Sequence, residues 1–302
     1  MTMTMEYHNP VLLHPTVDGL NINPDGIYVD VTFGGGGHSR EILSRLGPNG
    51  KLFAFDQDED ALANVLPDYR FTLISENFRY LKRFLRFHGV KAVDGILADL
   101  GVSSHQFDVP ERGFSTRFDA ELDMRMSKKN ELDAYKVINE YDDTNVRRIF
   151  YDYSELSNAP AIAKVIIEAR ENEPIKNTEQ LKNVLSRFLP AHKSHKILAQ
   201  IYQGIRIEVN QEMDVLKEFL EQSLEILKPS GRLSVISYHS LEDRLVKRYI
   251  KNGMFEGEPE KDFFGNFSVP FKTIGKLVVP DHAEIKINNR ARSAKLRIAE
   301  KK

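Results

Sequence analysis

Short apolar runs alternate with helix-like patterns along the first hundred residues. Ile27-Tyr28-Val29-Asp30-Val31 reads as a buried strand. It runs into Gly34-Gly35-Gly36-Gly37 and then a helical pattern over residues 38–46. Residues 51–56, 71–74 and 93–99 read as further strands, with helical patterns over 61–66 and 78–87. Strands spaced by helices in this way predict βαβ units and a parallel sheet.

The texture changes between residues 106 and 204. Strand-like runs stop, and charged helical patterns occupy 133–140, 144–151, 160–171 and 178–188. The first texture then returns. Residues 212–227 form an amphipathic helix with Met213, Leu216, Leu220, Leu224 and Leu227 on one face. Pro229-Ser230-Gly231 stops it, residues 232–237 read as a fifth strand and 240–250 as a helix. Val278 and residues 295–298 supply candidate edge strands. The expected fold class is α/β, a Rossmann-like sheet domain (1–108 and 207–302) interrupted by a helical insert (109–206). An insert placed after the fourth strand starts at the carboxyl ends of the strands, where open α/β sheets bind ligands.

Composition narrows the chemistry. With 42 basic and 44 acidic residues among 302, the net charge is −2, which argues against a chain that is basic throughout. There is no cysteine, so disulfides, thiolate metal sites and cysteine nucleophiles are excluded. No apolar run reaches the roughly 20 residues that a membrane helix needs. The start MTMTMEYHNPVLL lacks a basic-then-apolar signal pattern, so a cytoplasmic protein is expected, with no membrane partner.

The strongest local signal is Asp30-Val31-Thr32-Phe33-Gly34-Gly35-Gly36-Gly37-His38-Ser39. A strand ends in an acid, glycines turn the chain, and a helix begins. Asp56 ends the next strand 19 residues after Gly37, placed to hold the two hydroxyls of a ribose. Together these predict a nucleoside-containing cofactor, either a dinucleotide or S-adenosylmethionine. Asp30 suits the ammonium of the latter, whereas a dinucleotide needs the helix N-terminus open for pyrophosphate. Asp99 ends the fourth strand, ahead of Leu100-Gly101-Val102-Ser103-Ser104. It reads as a cofactor ligand, an acceptor for a substrate amine, or a cap for the following turn. Gln106 follows, as an adenine-reading group or a surface residue.

Arg112-Gly113-Phe114-Ser115-Thr116-Arg117-Phe118-Asp119 and Leu122-Asp123-Met124-Arg125-Met126 read as a loop over bound nucleotide or an ordinary salt-bridged loop. Arg79, Lys82, Arg83 and Arg86 form one cationic helix face, best read as solvated. Seven basic residues and one acid occupy residues 285–302. Arg290 and Arg292 there, with Lys295, are candidates for RNA contact, and Arg244, Lys247, Arg248 and Lys251 add positive charge. His192 and His195 lie beside Lys193 and Lys196, which repel cations, so they read as surface groups and no metal site is expected.

Taken together, the motifs resemble the RsmH (MraW) family, S-adenosylmethionine-dependent methyltransferases of bacterial 16S ribosomal RNA. The matching blocks cover nearly the whole chain. They are His8 to Leu13, Gly36-Gly37-His38-Ser39, Phe55-Asp56, Asp99 to Ser104 and Arg112 to Ser115. They continue with Leu122 to Met126, Arg206 to Asn210, Gly231 to Lys247 and Arg290 to Arg297. The chain departs from the family's usual residues at Val31, Gly35, Thr116, Glu121 and Asn289. The resemblance implies N4-methylation of a cytidine in the decoding region, within the small ribosomal subunit. It implies a class I methyltransferase fold whose helical insert recognises substrate. It also implies S-adenosylmethionine held by Gly36, Gly37, His38, Asp56, Phe78, Asp99 and Gln106, with Asp99 as the acceptor nearest the amine. Monomer and homodimer are both compatible with it. On the residues alone, a nicotinamide oxidoreductase and a non-catalytic RNA-binding factor remain as rivals.

Overall fold

The computed structural model describes residues 10–261, 263–264 and 267–302. His8 and Asn9 of the first matching block lie outside them. The chain divides into two compact units, Met1–Gly101 with Asp214–Lys302, and Val102–Met213. The second unit takes in residues 102–108 and 207–213 as well as the span 109–206 expected from the sequence.

In chain order the elements are α1 (Leu13–Gly19), β1 (Ile27–Asp30), α2 (Gly37–Arg45), β2 (Lys51–Phe55), β3 (Phe71–Ile74), α3 (Leu81–Phe87) and β4 (Val93–Asp99). The middle holds α4 (Ser104–Asp108), α5 (Ala134–Glu140), α6 (Asp143–Arg148), α7 (Ala159–Asn172), α8 (Thr178–Val184) and α9 (Ser194–Asn210). The chain closes with α10 (Glu212–Ile226), β5 (Leu227–Ser237), α11 (Ser240–Asn252), β6 (Phe271–Val278), α12 (His282–Ile287) and β7 (Lys295–Lys301).

The seven strands run in the order β3-β2-β1-β4-β5-β7-β6. β1 to β5 are parallel, while β7 is antiparallel to both β5 and β6. The two edge candidates are therefore full strands in a mixed sheet, not additions to a purely parallel one. Only the six-residue α12 and a short 3-10 turn separate β6 from β7, and an antiparallel return needs no long crossover.

Side chains alternate between the two faces of the sheet with the period of two that strands impose. Tyr28, Leu52 and Leu97 pack on one face with Val17 and Leu20 from the α1 region and Ile42 from α2. Val29, Phe53, Ile96 and Val235 pack on the other, with Leu81, Leu85, Leu216, Phe219, Leu220, Val246 and Tyr249 from α3, α10 and α11. Both faces are covered, which is why these strands read as continuous apolar runs.

The second unit has its own core. Leu198, Ile201, Ile205 and Val209 of α9 join Val137 and Ile138 of α5 and Ile162 and Ile166 of α7. The pattern over 144–151 resolves into α6 and a π-helical turn, Ile149–Tyr153. The pattern over 61–66 is a 3-10 turn, Glu59–Asn64. α9 went unread because its first turn is Ser-His-Lys, although its apolar spacing is helical.

Phe219 is fully buried and meets Phe78 edge to face with ring centroids 5.4 Å apart. Phe219→Ala is expected to cost about 3–5 kcal/mol, by lost burial plus a cavity, in urea denaturation. A loss below about 1 kcal/mol would contradict the packing described.

Candidate functional site

Three acids stand at the carboxyl ends of neighbouring strands. Asp30 ends β1 and Asp99 ends β4, while Asp56 directly follows β2. The reversal of strand order between β1 and β4 is the switch point at which such sheets bind ligands.

Asp30 is fully buried, and its carboxylate accepts from Ser39 Oγ at 2.7 Å and from the Thr32 amide at 3.1 Å. Thr32 Oγ1 in turn accepts from the Asp99 amide at 2.7 Å, so one side chain joins the ends of β1 and β4. The glycine turn is bound to Asp56. The Gly34 amide donates to Asp56 Oδ2 at 2.7 Å, and the Asp58 amide to Oδ1 at 2.9 Å.

Gly36 is the N-cap of α2 with φ of 74°, a left-handed conformation that glycine adopts without strain. A Cβ on Gly37 would lie 2.1 Å from the Pro10 ring, so only glycine fits there. His38 is buried in the first turn of α2, with Nε2 3.1 Å from the Val11 carbonyl. A carbonyl only accepts, so Nε2 carries the proton and Nδ1 presents a lone pair. That lone pair is 3.8 Å from Asp99 Oδ2. The other oxygen, Oδ1, accepts from Tyr238 Oη at 2.7 Å.

Burial dominates the electrostatics. It raises the Asp30 and Asp56 carboxyls to about 6 and that of Asp99 to about 7, against hydrogen bonds that work the other way. Burial also lowers His38 to about 4, which keeps it neutral. Among the described residues, no Lys or Arg pairs with any of the three acids. Perturbed acids gathered at neighbouring strand ends, without a cation among the described residues to neutralise them, mark a place for a cationic ligand.

The remaining expected residues are distributed as follows. Phe78 lies in the 3-10 turn after β3, half-buried against Phe219. Gln106 belongs to the second unit; it is buried and forms a capping box with Ser103 at the start of α4. It is not a surface residue.

Arg290 and Arg292 sit in the 3-10 turn Asn289–Ser293, where Arg292 is exposed and Arg290 half-buried. Lys295 opens β7 and is paired with Asp243, which also holds Arg297. The pair lies at the surface, with the Lys295 side chain still 41% accessible.

In the helix over 78–87, Arg79 is bound to Glu218 and Lys82 to Glu225, while Arg83 and Arg86 are exposed, so half of the face is solvated as expected and half is ion-paired. The segment around Arg112–Met126 is tied to itself. Arg112 donates to the Arg125 and Met126 carbonyls, Arg125 pairs with Asp123, and Phe114, Leu122 and Met124 are core residues of the second unit. His192 and His195 are exposed, as read.

Thr32, Ser39 and Tyr238 are site residues that the sequence reading did not single out. Their signal is positional: Thr32 lies two residues after β1, Ser39 in the first turn of α2 and Tyr238 directly after β5.

The site also sets a pH dependence. An acid raised from about 4 in the unfolded chain adds stability below that pH, which is lost as pH rises through its folded value. For Asp30 that window runs up to about 6. His38 acts in the opposite sense, losing stability as pH falls from 6.5 to about 4. Asp30→Asn removes the buried charge, so it is expected to stabilise the protein by about 1–3 kcal/mol at pH 8 and by much less at pH 5. Denaturation at the two pH values checks this, and an equal effect at both would contradict it.

Comparison with known proteins places these observations. The family model described as the MraW methylase family matches residues 5–302. "Ribosomal RNA small subunit methyltransferase H" of Flavobacterium johnsoniae is 82% identical over 301 residues, 100% of each chain. The protein of the same name from Christiangramia forsetii is 67% identical over 301 residues, again 100% of each. That from Bacteroides thetaiotaomicron is 55% identical over 299 residues, 99% of this chain and 98% of the relative. With a glycine turn, strand-end acids and a match along its length, the chain belongs to the MraW methylase family.

Proposed function

We propose that this protein moves a methyl group from S-adenosylmethionine to the exocyclic N4 of a cytidine in the decoding region of 16S ribosomal RNA. The substrate in this reading is the small ribosomal subunit, in the cytoplasm. The observation that carries it is the trio Asp30, Asp56 and Asp99, the first buried and the other two half-buried beside the glycine turn, with no basic partner among the described residues. A ligand with an ammonium and a sulfonium supplies the missing positive charge. A dinucleotide would bring two more negative charges to the same place. The names of the relatives, which specify ribosomal RNA of the small subunit, support the substrate class.

S-adenosylmethionine, when bound, supplies a methyl group activated by its positive sulfur. Gly36 and Gly37 give it access to the backbone of the turn, and His38 lines the same turn. Each oxygen of Asp56 accepts one amide and keeps a lone pair for a ribose hydroxyl. Phe78 contributes an apolar wall, and Gln106 of the second unit is assigned to the cofactor from the resemblance.

The cytosine amine is a weak nucleophile because its lone pair is delocalised into the ring. Asp99 accepts a hydrogen bond from it and takes its proton as the new nitrogen–carbon bond forms and the carbon–sulfur bond breaks. A carboxyl near pH 7 suits that task. The base must leave its stack to be reached. Arg292 and Arg290 grip the surrounding RNA, with Lys295 beside them, and the helical unit recognises the substrate.

The test is transfer of labelled methyl to naked 16S RNA, purified small subunits and whole ribosomes, with the product nucleoside identified by mass spectrometry. N4-methylcytidine in small subunits is expected. No label in any sample, despite measurable cofactor binding, would contradict the reading. Asp99→Asn is expected to lower turnover about 100-fold or more. Cofactor affinity should change far less, and equal losses in both would count against Asp99 as the proton acceptor.

A further inference from the structure

We infer that Tyr238 is a positioning residue: its hydroxyl donates to one oxygen of Asp99 and fixes that carboxyl group for its part in the reaction. Its effect on rate rests on the methyl-transfer reading above; its effect on Asp99 does not.

Tyr238 directly follows β5, the strand that pairs with β4 and sets Ile236 opposite Asp99. Its hydroxyl donates to Asp99 Oδ1 at 2.7 Å. Among the described residues it is the one donor to that carboxylate. The phenol is itself held at both ends. Its backbone amide donates at 2.8 Å to Glu242, a buried member of the capping box that opens α11. Its ring lies over Gly101, whose φ of +103° turns the chain away from β4; a Cβ there would be 3.3 Å from the ring. From the opposite side, Thr32 Oγ1 holds the Asp99 amide. Asp99 is thus held at its backbone by Thr32 and at its carboxyl by Tyr238, with Oδ2 accepting no hydrogen bond among the described residues.

Its other neighbours do not do this. Nδ1 of His38 presents a lone pair to Oδ2, and two acceptors cannot bond to each other. Asp30 and Glu242 are like charges that oppose ionisation of Asp99. Glu242 and Glu284 act on Tyr238 in the same way, and with burial and Asp99 they hold the phenol well above its ordinary range. It therefore stays protonated and remains a donor at every working pH. The Tyr238 hydrogen bond is what draws Asp99 back toward ionisation.

The experiment compares wild type with Tyr238→Phe, which keeps the ring on Gly101 and deletes only the hydroxyl. The carboxyl resonance of Asp99 is followed by NMR with aspartate carbon labelling, and assigned by its absence from Asp99→Asn. Its midpoint is expected to rise by about one pH unit in Tyr238→Phe. Methyl transfer should fall about fivefold at pH 7 and recover to within about twofold by pH 9. An unmoved midpoint, or a rate loss of the same size at every pH, would overturn the inference. If wild type transfers no methyl group, the functional reading fails, and the titration still decides the role of Tyr238.

Discussion

The site depends on three carboxyl groups drawn from water, Asp30 fully and Asp56 and Asp99 in part, that have no basic partner among the described residues. Taking a carboxylate out of water is costly unless hydrogen bonds or an opposite charge compensate. Here the fold provides hydrogen bonds alone. Ser39 and the Thr32 amide serve Asp30, two loop amides serve Asp56, and Tyr238 serves Asp99. Much of the local architecture follows from this. The glycine turn takes its shape from the amide that Gly34 gives to Asp56, and Thr32 spans the two strand ends by giving its amide to the Asp30 carboxyl and accepting the Asp99 amide. Strain of this kind, held in place by the surrounding sheet, is where stability and function pull apart.

The sheet unit was legible because its strands are buried on both faces. β3 and β4 lie at 71–74 and 93–99 as read, and β1 and β2 end one residue earlier than expected. The antiparallel placement of β7 was not legible. Lys295–Ile298 alternates charged and apolar residues, which fixes a strand but neither its direction nor its neighbours. The helical unit was legible as a change of texture, whereas α9 was passed over behind a polar first turn. The 3-10 turn at Glu59–Asn64 and the π turn at Ile149–Tyr153 differ from α-helix only in hydrogen-bond register, which apolar spacing does not report.

The site was legible in its acids and glycines and not in their partners. A strand-end Asp after a predicted strand is visible in a sequence. The threonine, serine and tyrosine that bond to it are ordinary residues until the sheet order brings β1, β4 and β5 side by side. The basic residues show the converse. Lys295 reads as a free cation, but the fold places Asp243 of α11 within 3.2 Å of it. Lys82 and Arg79 are likewise paired at the surface with acids more than a hundred positions away in the chain. Charge counting locates a basic segment, and only tertiary pairing tells which of its cations are available to RNA.

The most direct test of the account is calorimetric binding of S-adenosylmethionine to the purified protein, repeated in buffers of different ionisation enthalpy. If the buried acids await a cationic ligand, binding pulls their titration downward. Protons are then released near pH 6.5, fewer of them by pH 8.5, and NADH gives no binding heat. Cofactor binding without proton release at pH 6.5, or tight binding of NADH, would contradict it.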